Sequence, residues 1–558
     1  MRKWFFSFKF LRGFMDELYK YIFLLIIIAI IGILSKGFPI ILFPLLILSG
    51  MAISFVPHFS KIELQPDLIL KVFLPLLIYE SCVIFPLTEV FNNLRHIILL
   101  SVGHVFFITL LVAIVSHYFI PSLSWPFAFV LGAIVSPPDH VAVTTIAKSN
   151  YLPQRLTSIL QGEGMLNDAA ALVIFKFALT AALTNQFIMS KAVLTFIAIL
   201  IGETAYGLLI GYIIGKIRLQ LGNNIKMQII ISLLTPFIAF LPPHQLGGSG
   251  VLATVVTSLF IGHNFLERLP ASVRIVSTSF WIIIGFIISS ILFLTLGLDF
   301  KNILSRIYNV QHSIIIFYAF IIITTVILGR FIYVFIGAYL PPLLLSTIRK
   351  KDSFPPWQYP FIVAWAGMRG VVSLAAALAI PFMVFPSIIN QRDLIVFLVF
   401  SVIVATFIAQ GLALPYIIRF LGLYKHRKSE VSNEQFNEIN SRVIMAENVL
   451  IFLRKYRKRF PDNKTIQNEI EFQIRIYKRL KNKYLSFKNE FDKRKNKQEK
   501  NNPIDQLEEI KDLRTFSLKL IQIEKITLDK LFKEGKISYT TKKRLLQQLD
   551  YRSKTFLE

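Results

Sequence analysis

Glu163-Gly164-Met165-Leu166-Asn167-Asp168 places two carboxylates and an amide inside a long apolar stretch, where lipid or packed protein should surround them. A charge at such depth costs roughly 3 kcal/mol or more, so intramembrane acids characteristically serve ions or protons. Helical geometry separates the two acids. At roughly 100° per residue Glu163 and Asp168 lie about 140° apart around the axis, whereas Gly164, four residues before Asp168, shares its face. One carboxylate can therefore face a cation pathway while the other pairs with a guanidinium, for which Arg369 or Arg330 is available. Lys176, two turns beyond Asp168, is too far along the axis to neutralise it directly. A lone carboxylate holds a proton or a small cation, but not both at once. If the two compete for one site, each loaded form carries the same charge, and one-for-one electroneutral exchange follows. The competing account of Asn167-Asp168 is a satisfied polar network that packs helices.

Helix breakers accompany unusual polar groups at two other places. Gly132-Ala133-Ile134-Val135-Ser136-Pro137-Pro138-Asp139-His140 puts two consecutive prolines and an acid at mid-membrane depth. Each proline removes an amide donor and pushes the residue before it toward extended geometry, so a helix should break there. Ala366-Gly367-Met368-Arg369-Gly370 brackets a guanidinium with glycines, which permit unwinding and close backbone approach.

These elements must be held by a membrane domain. The chain has 558 residues, 54% of them hydrophobic, with 60 Lys and Arg against 33 Asp and Glu. Residues 1–420 carry 27 of the basic and 14 of the acidic residues between apolar stretches of roughly 17 to 30 residues, long enough to span a bilayer as helices. Residues 421–558 carry the other 33 basic and 19 acidic residues and no apolar span. The expectation is an all-α polytopic membrane domain over 1–420 with about thirteen transmembrane helices, and a basic helical tail over 421–558. The tail mixes both signs at helical spacing, as in Glu469, Glu471, Arg475, Lys478 and Arg479, which favours a solvated surface near an anionic leaflet over a nucleic-acid partner. Cys82 is the sole cysteine, which excludes an internal disulfide and a cysteine-based metal cluster. The basic N-terminus precedes a hydrophobic run without a convincing cleavage site and is expected to be retained.

With the tail cytoplasmic, alternate loops put basic residues such as Arg95, Lys148, Arg155, Lys216, Arg274 and Arg349 inside, and fewer, such as Lys61, Lys301 and Arg392, outside, following the positive-inside bias. Thirteen spans leave Arg2, Lys3, Lys9 and Arg12 outside against that bias, unless residues 4–14 form an interfacial amphipathic helix. The breaks fall in the fifth and twelfth spans, an odd offset, so the two helices cross in opposite directions. Interrupted spans at matching positions of two inverted repeats point to a transporter's midplane binding site.

The same residues resemble the monovalent cation/proton antiporters of the bacterial Na+/H+ exchanger type, a family that includes archaeal and animal sodium/proton exchangers. Gly162 to Asp168 is similar to the family's Glu-Ser-Leu-Leu-Asn-Asp run, Ser136 to Val143 to its Thr-Asp-Pro-containing broken helix, and Gly367 to Leu374 to the arginine motif of its second broken helix. Leu74 to Glu80, Leu234-Thr235-Pro236, Gly247 to Ala253 and Phe293 to Gly297 recur in the same order, and Gly535-Lys536-Ile537-Ser538 resembles the end of the bacterial tail. The resemblance implies a sodium/proton antiporter fold with two crossed broken helices, a six-helix core moving against a dimerisation domain, and a homodimer. It implies that Asp168 is the exchanging carboxylate binding the monovalent cation, that Asn167 braces the site, and that Asp139 contributes charge at the crossing. Glu80 would approach the cation from the other domain, Glu163 and Arg369 would form a core ion pair, and Arg330 would be a further core arginine. Asn before Asp resembles the electroneutral branch.

The departures concern the cation. Gly164 stands for a serine whose hydroxyl can line the site, Pro138 replaces threonine and keeps only its carbonyl, and Gly285 and Ser289 stand where many members carry an acid and an Asn. His140 is either a pH sensor or a packed neutral histidine, and Glu203 lines the entry path or joins the dimer interface. His104, His117, His244 and His263 lack metal-ligand spacing, so neither a cofactor nor a transition-metal site is expected.

Secondary exchange of Na+, or of K+ or Li+, for H+ in the inner membrane is thus the expected function, serving pH and cation homeostasis. A cation channel or membrane sensor on the same fold is the alternative. An enzyme is disfavoured because no Ser/His or metal constellation accompanies the acids, and a primary pump because the chain has no phosphate-binding Gly-x-x-x-x-Gly-Lys loop.

Overall fold

In lipid every backbone polar group must be satisfied within the protein, so apolar runs rich in Ile and Val become helices despite their strand preference in water. The computed structural model is helical, with no strand among the described residues. It describes residues 22–35, 41–56, 66–139, 152–184, 189–307, 311–344, 346, 354–381, 391–457 and 464–496, and positions 525, 526, 528 and 534. His140, residues 4–14 and the run Gly535 to Ser538 lie outside that set, so the expectations placed on them are not addressed by it.

In chain order the helices used below are α1 (Ile22–Leu34), α2 (Leu42–Ser54), α3 (Leu74–Val83), α4 (Leu94–Phe119), α5 (Trp125–Val135), α6 (Gln154–Thr184), α7 (Met189–Gln220), α8 (Ile225–Gln245), α9 (Val251–Asn264) and α10 (Ala271–Leu298). They continue with α11 (His312–Leu344), α12 (Gln358–Trp365), α13 (Val371–Leu378), α14 (Gln391–Phe420), α15 (Leu423–Arg457) and α16 (Lys464–Asn496). Among the described residues seven helices are long and apolar enough to cross a membrane, in the regions of α4, α6, α7, α8, α10, α11 and α14; α1, α2 and α5 are shorter apolar helices.

The chain divides into two compact units, Met1–Val431 and Ser432–Glu558. Within the first, α4, α5, α6, α11, α12, α13 and α14 pack as one group, and α2, α3, α7, α8, α9 and α10 contact one another as a second, with α6 also touching α9. Small residues let helices approach closely where hydrophobic burial no longer drives association. Ala375, Ala376 and Ala377 do this for α13, which packs on α5 and α14 within a core that includes Ile134, Val135, Val399 and Ile403. In the second unit Leu450, Ile470 and Ile474 form a small apolar seam, flanked by an ion pair between Lys481 and Glu447 at 2.7 Å. Exposed pairs of this kind contribute under about 1 kcal/mol, so the seam carries the packing.

Two helices stop short, as their sequences dictate. At 1.5 Å per residue α5, α12 and α13 are each roughly 12 to 17 Å long, about half a hydrocarbon core. α5 ends at Val135, one residue before Ser136, whose hydroxyl donates to the Ala133 carbonyl at 2.9 Å, and Pro137 and Pro138 follow with no amide to continue the ladder. α12 ends at Trp365, and residues 367–370 run non-helically to α13. The two breaks meet: the Asp139 amide donates to the Met368 carbonyl at 2.7 Å.

Candidate functional site

α6 is continuous where its neighbours are broken, and it brings Asn167 and Asp168 against both breaks. Asn167 is fully buried, and its Nδ2 donates to the Pro138 carbonyl at 2.6 Å. The amide thus ties α6 directly to the backbone of the first interruption. Asp168, 5% exposed, lines a cavity of about 10 Å³ together with Ala133, Ile134 and Pro137 from the first interruption and Val372, Ser373 and Ala376 from α13. A space of this size is near the minimum for a single water. An ion seated against Asp168 would therefore have shed most of its hydration shell, and protein oxygens would have to replace it.

Asp139, also buried, faces Gly370 so closely that a Cβ on residue 370 would collide with its carboxylate. Gly370 immediately precedes α13, whose N-terminal amides and dipole favour a negative charge at that position. Gly370 is thus required by the acid, and it lets the two interruptions touch. Glu80 sits half-buried on α3 against α10, where a Cβ on Gly285 would lie 2.9 Å from its Cδ. The absence of a side chain at 285 makes room for Glu80 at that helix contact. Gly164 is buried one turn before Asp168 on the same helix.

The ion pair differs from the expected one. Glu163 receives Arg330 Nη1 at 2.7 Å and Nη2 at 3.0 Å, a bidentate pair with both partners buried. Arg330 also donates through Nη2 to the Val363 carbonyl at 2.9 Å and through Nε to the Ala364 carbonyl at 3.2 Å. These are the last carbonyls of α12, which the end of the helix leaves without intrahelical donors. One guanidinium thus closes a buried carboxylate and caps a broken helix, a fork geometry that lysine could not supply. Gly367 is part of the arrangement, because a Cβ there would occupy the place of Arg330 Cδ and Nε. Arg369 is buried nearby and turns back on its own strand, donating from Nη1 to the Gly367 carbonyl at 3.0 Å; its amide donates to Thr406 Oγ1 at 3.1 Å. The spacing left Arg369 and Arg330 both available and the family resemblance implied Arg369 for Glu163, whereas the register of α11 delivers Arg330.

Three residues acquire positions that the sequence left open or passed over. The Glu203 carboxylate on α7, buried, accepts from the amides of Ser249 at 2.6 Å and Gly250 at 2.9 Å and from the Ser249 hydroxyl, so it caps the start of α9. Lys176 on α6 donates to the Gly247 carbonyl at 3.4 Å and to that of Gly248, tying the helix of Asp168 to the same turn. Ser373 was read only as part of a motif, yet it lines the Asp168 cavity from α13. The signal available in the sequence was its position two residues into a half-helix. It brings a hydroxyl-bearing side chain to the lining that Asp168 shares, where Gly164 has no side chain to bring. Ser373→Ala should weaken apparent cation affinity about fivefold, the effect of ~1 kcal/mol from one hydrogen-bonding group, with unchanged protein yield. Cation-concentration curves of exchange in proteoliposomes measure it, and superimposable curves for variant and wild type would remove Ser373 from the site. Among the described residues no three His, Cys, Asp or Glu side chains gather where they could hold a metal ion.

The family model "Sodium/hydrogen exchanger, transmembrane" matches residues 23–419. The sodium, potassium, lithium and rubidium/H(+) antiporter of Bacillus subtilis is 31% identical over 423 residues, covering 72% of this chain and 62% of that protein, so the chain spans about three-fifths of that relative's length. The Na(+)/H(+) antiporter ApNhaP of Aphanothece halophytica is 29% identical over 415 residues, with 73% and 74% covered. The solved structure of the sodium proton antiporter MjNhaP1 from Methanocaldococcus jannaschii at pH 8 superposes with a TM-score of 0.58 at 18% identity, covering 73% of this chain and 99% of that one. At that identity the likeness concerns the fold.

Proposed function

The chain belongs to the sodium/hydrogen exchanger family, a multi-pass membrane family, and from that premise we propose that it is a secondary antiporter exchanging a monovalent cation for H+ at Asp168. Na+ is the cation we assign, with K+ and Li+ as the alternatives that the small cavity leaves in play. The observation that carries the reading is the meeting of Asn167-Asp168 with both helix interruptions, through the Asn167 to Pro138 hydrogen bond and a cavity lined by both broken segments.

The chemistry follows from the groups around that cavity. Asp168 ionised attracts a dehydrated cation; Asp168 protonated is neutral and has no such attraction, so the two cargoes exclude each other. Asn167 is held by the Pro138 carbonyl and stays an uncharged neighbour, while Asp139 sets a second negative charge beside the N-terminus of α13. The Glu163–Arg330 pair keeps α6, α11 and α12 together, so these helices would move as one body when access alternates. Glu80, on α3 of the other packing group, would meet the cation on its path. Homodimerisation, residence in the inner membrane and a cytoplasmic tail belong to the same proposal. α7, which exposes Leu200, Ile201, Leu208 and Leu209, offers an apolar face to a second copy.

Acid-loaded proteoliposomes given Na+, Li+ or K+ separately test the reading. Each transported cation should alkalinise the lumen, and a conductance that dissipates either gradient alone would mark a channel instead. A further expectation is electroneutrality. Proton and cation share one carboxylate, so a potential-sensitive dye should register no voltage generated by a cation gradient. A sustained potential set by that gradient would overturn one-for-one exchange.

A further inference from the structure

A second cavity lies away from Asp168, among the ends of four helices. Its walls come from α4 (Arg95, His96, Leu99, Leu100), the start of α6 (Arg155, Leu156, Ile159), the last turns of α11, and Pro355 with the start of α12. Polarity changes with depth. Arg95, His96 and Arg155 sit at the helix starts, about one turn farther in the lining becomes Leu99, Leu100 and Ile159, and Val334 joins them from α11. At 1.5 Å per residue the backbone positions of the two arginines lie roughly 6 Å along the axis from those of Leu99 and Ile159. No carboxylate lines the cavity among the described residues.

We propose that this cavity binds an anionic phospholipid of the adjacent leaflet, its phosphate between Arg95 and Arg155 and the upper part of an acyl chain against Leu99, Ile159 and Val334. The charge lies where a headgroup lies and the apolar lining where hydrocarbon begins, so the polarity of the cavity matches that of a lipid in register. Guanidiniums at helix ends are suited to phosphate, and basic pockets between membrane helices recruit acidic headgroups. A soluble anion would use the arginines and leave the apolar half without a partner. The Tyr333 hydroxyl donates to the Leu99 carbonyl at 3.0 Å, and the guanidiniums of Arg95 and Arg155, each with several N–H donors, are the cationic groups in the lining.

The position gives the lipid a role. Val363 lines the cavity, and its carbonyl accepts from Arg330, the residue that holds Glu163 on the helix of Asp168. A bound chain would press on the joint between α11 and α12 and so on the packing of the transport core.

Gly337 supplies a selective test, because it lines the cavity and a Cβ placed on it meets nothing within 4 Å. Gly337→Phe would fill the space without displacing the fold, and Arg95→Ala/Arg155→Ala would remove the headgroup contacts. Native mass spectrometry of the full chain, released from detergent and titrated with phosphatidylglycerol, phosphatidylcholine, oleate or inorganic phosphate, reads the occupancy. The expected result is one phosphatidylglycerol held about tenfold more tightly than phosphatidylcholine. That preference should be lost in the double arginine variant, and bound phosphatidylglycerol should be lost in Gly337→Phe. Equal retention of the two phospholipids, equal binding of oleate, displacement by phosphate alone, or wild-type occupancy in Gly337→Phe would each overturn the proposal.

Discussion

Asp168→Asn should reduce proton-coupled cation flux to that of protein-free liposomes while leaving the chain folded. The side chain keeps its shape, so the cavity with Pro137 and Ser373 retains its walls. What disappears is the group that can be either charged or protonated. A neutral amide at this depth also removes the cost of holding a charge away from water, so thermal stability in detergent should equal or exceed the wild type. Two measurements decide the matter together: exchange after a pH jump, and the melting midpoint of the same preparation. Residual exchange at wild-type rates in a folded variant would move the exchanging carboxylate elsewhere, with Asp139 the next residue to test.

Breaking the Glu163–Arg330 pair from one side should cost about 3–5 kcal/mol of stability, because a charge is left buried without its partner. Arg330→Met is the harsher change. It strands Glu163 and also uncaps the Val363 and Ala364 carbonyls at the end of α12. Glu163→Gln keeps an acceptor for Arg330 and should lose less. The double variant Glu163→Leu/Arg330→Met should recover part of the loss, since well-packed apolar pairs often match a buried ion pair; the remainder measures the capping of α12. Melting midpoints of the wild type, Glu163→Leu, Arg330→Met and the double variant form the cycle. Strict additivity of the two single effects would mean that the residues do not act as a pair.

The two interruptions were legible because proline and glycine act on the backbone directly: Pro137 and Pro138 cannot donate, whatever surrounds them. Angular spacing separated the two acids, and Glu163 and Asp168 do face different neighbours, Arg330 and the cavity with Pro137 and Ser373. The identity of Glu163's partner was not, since Arg330 and Arg369 both lie in apolar segments and only the register of α11 against α12 separates them. Glu203 left two readings open, and neither included a carboxylate capping the start of a helix about 50 residues later in the chain. Ser373 escaped notice because a small residue in a membrane helix is ordinarily a packing choice, and its place at the cavity depends on where α13 begins. Motif resemblance named Asn167 and Pro138, which the fold joins by a hydrogen bond; long-range geometry paired Glu163 with Arg330.

If Asp168 is the single exchanging acid, as proposed, the uncharged amide of Asn167 beside it, bound to the Pro138 carbonyl, has a consequence at the scale of the cell. Exchange of one cation for one proton moves no net charge, so membrane voltage drops out of the balance. At rest the concentration ratio of the cation across the membrane equals that of the proton, and a tenfold cation gradient, about 1.4 kcal/mol, sustains about one pH unit at any voltage. A second acid in place of that amide would allow voltage to drive the exchange. Under the proposed one-for-one exchange the protein would convert one chemical gradient into the other and stall when the two are equal.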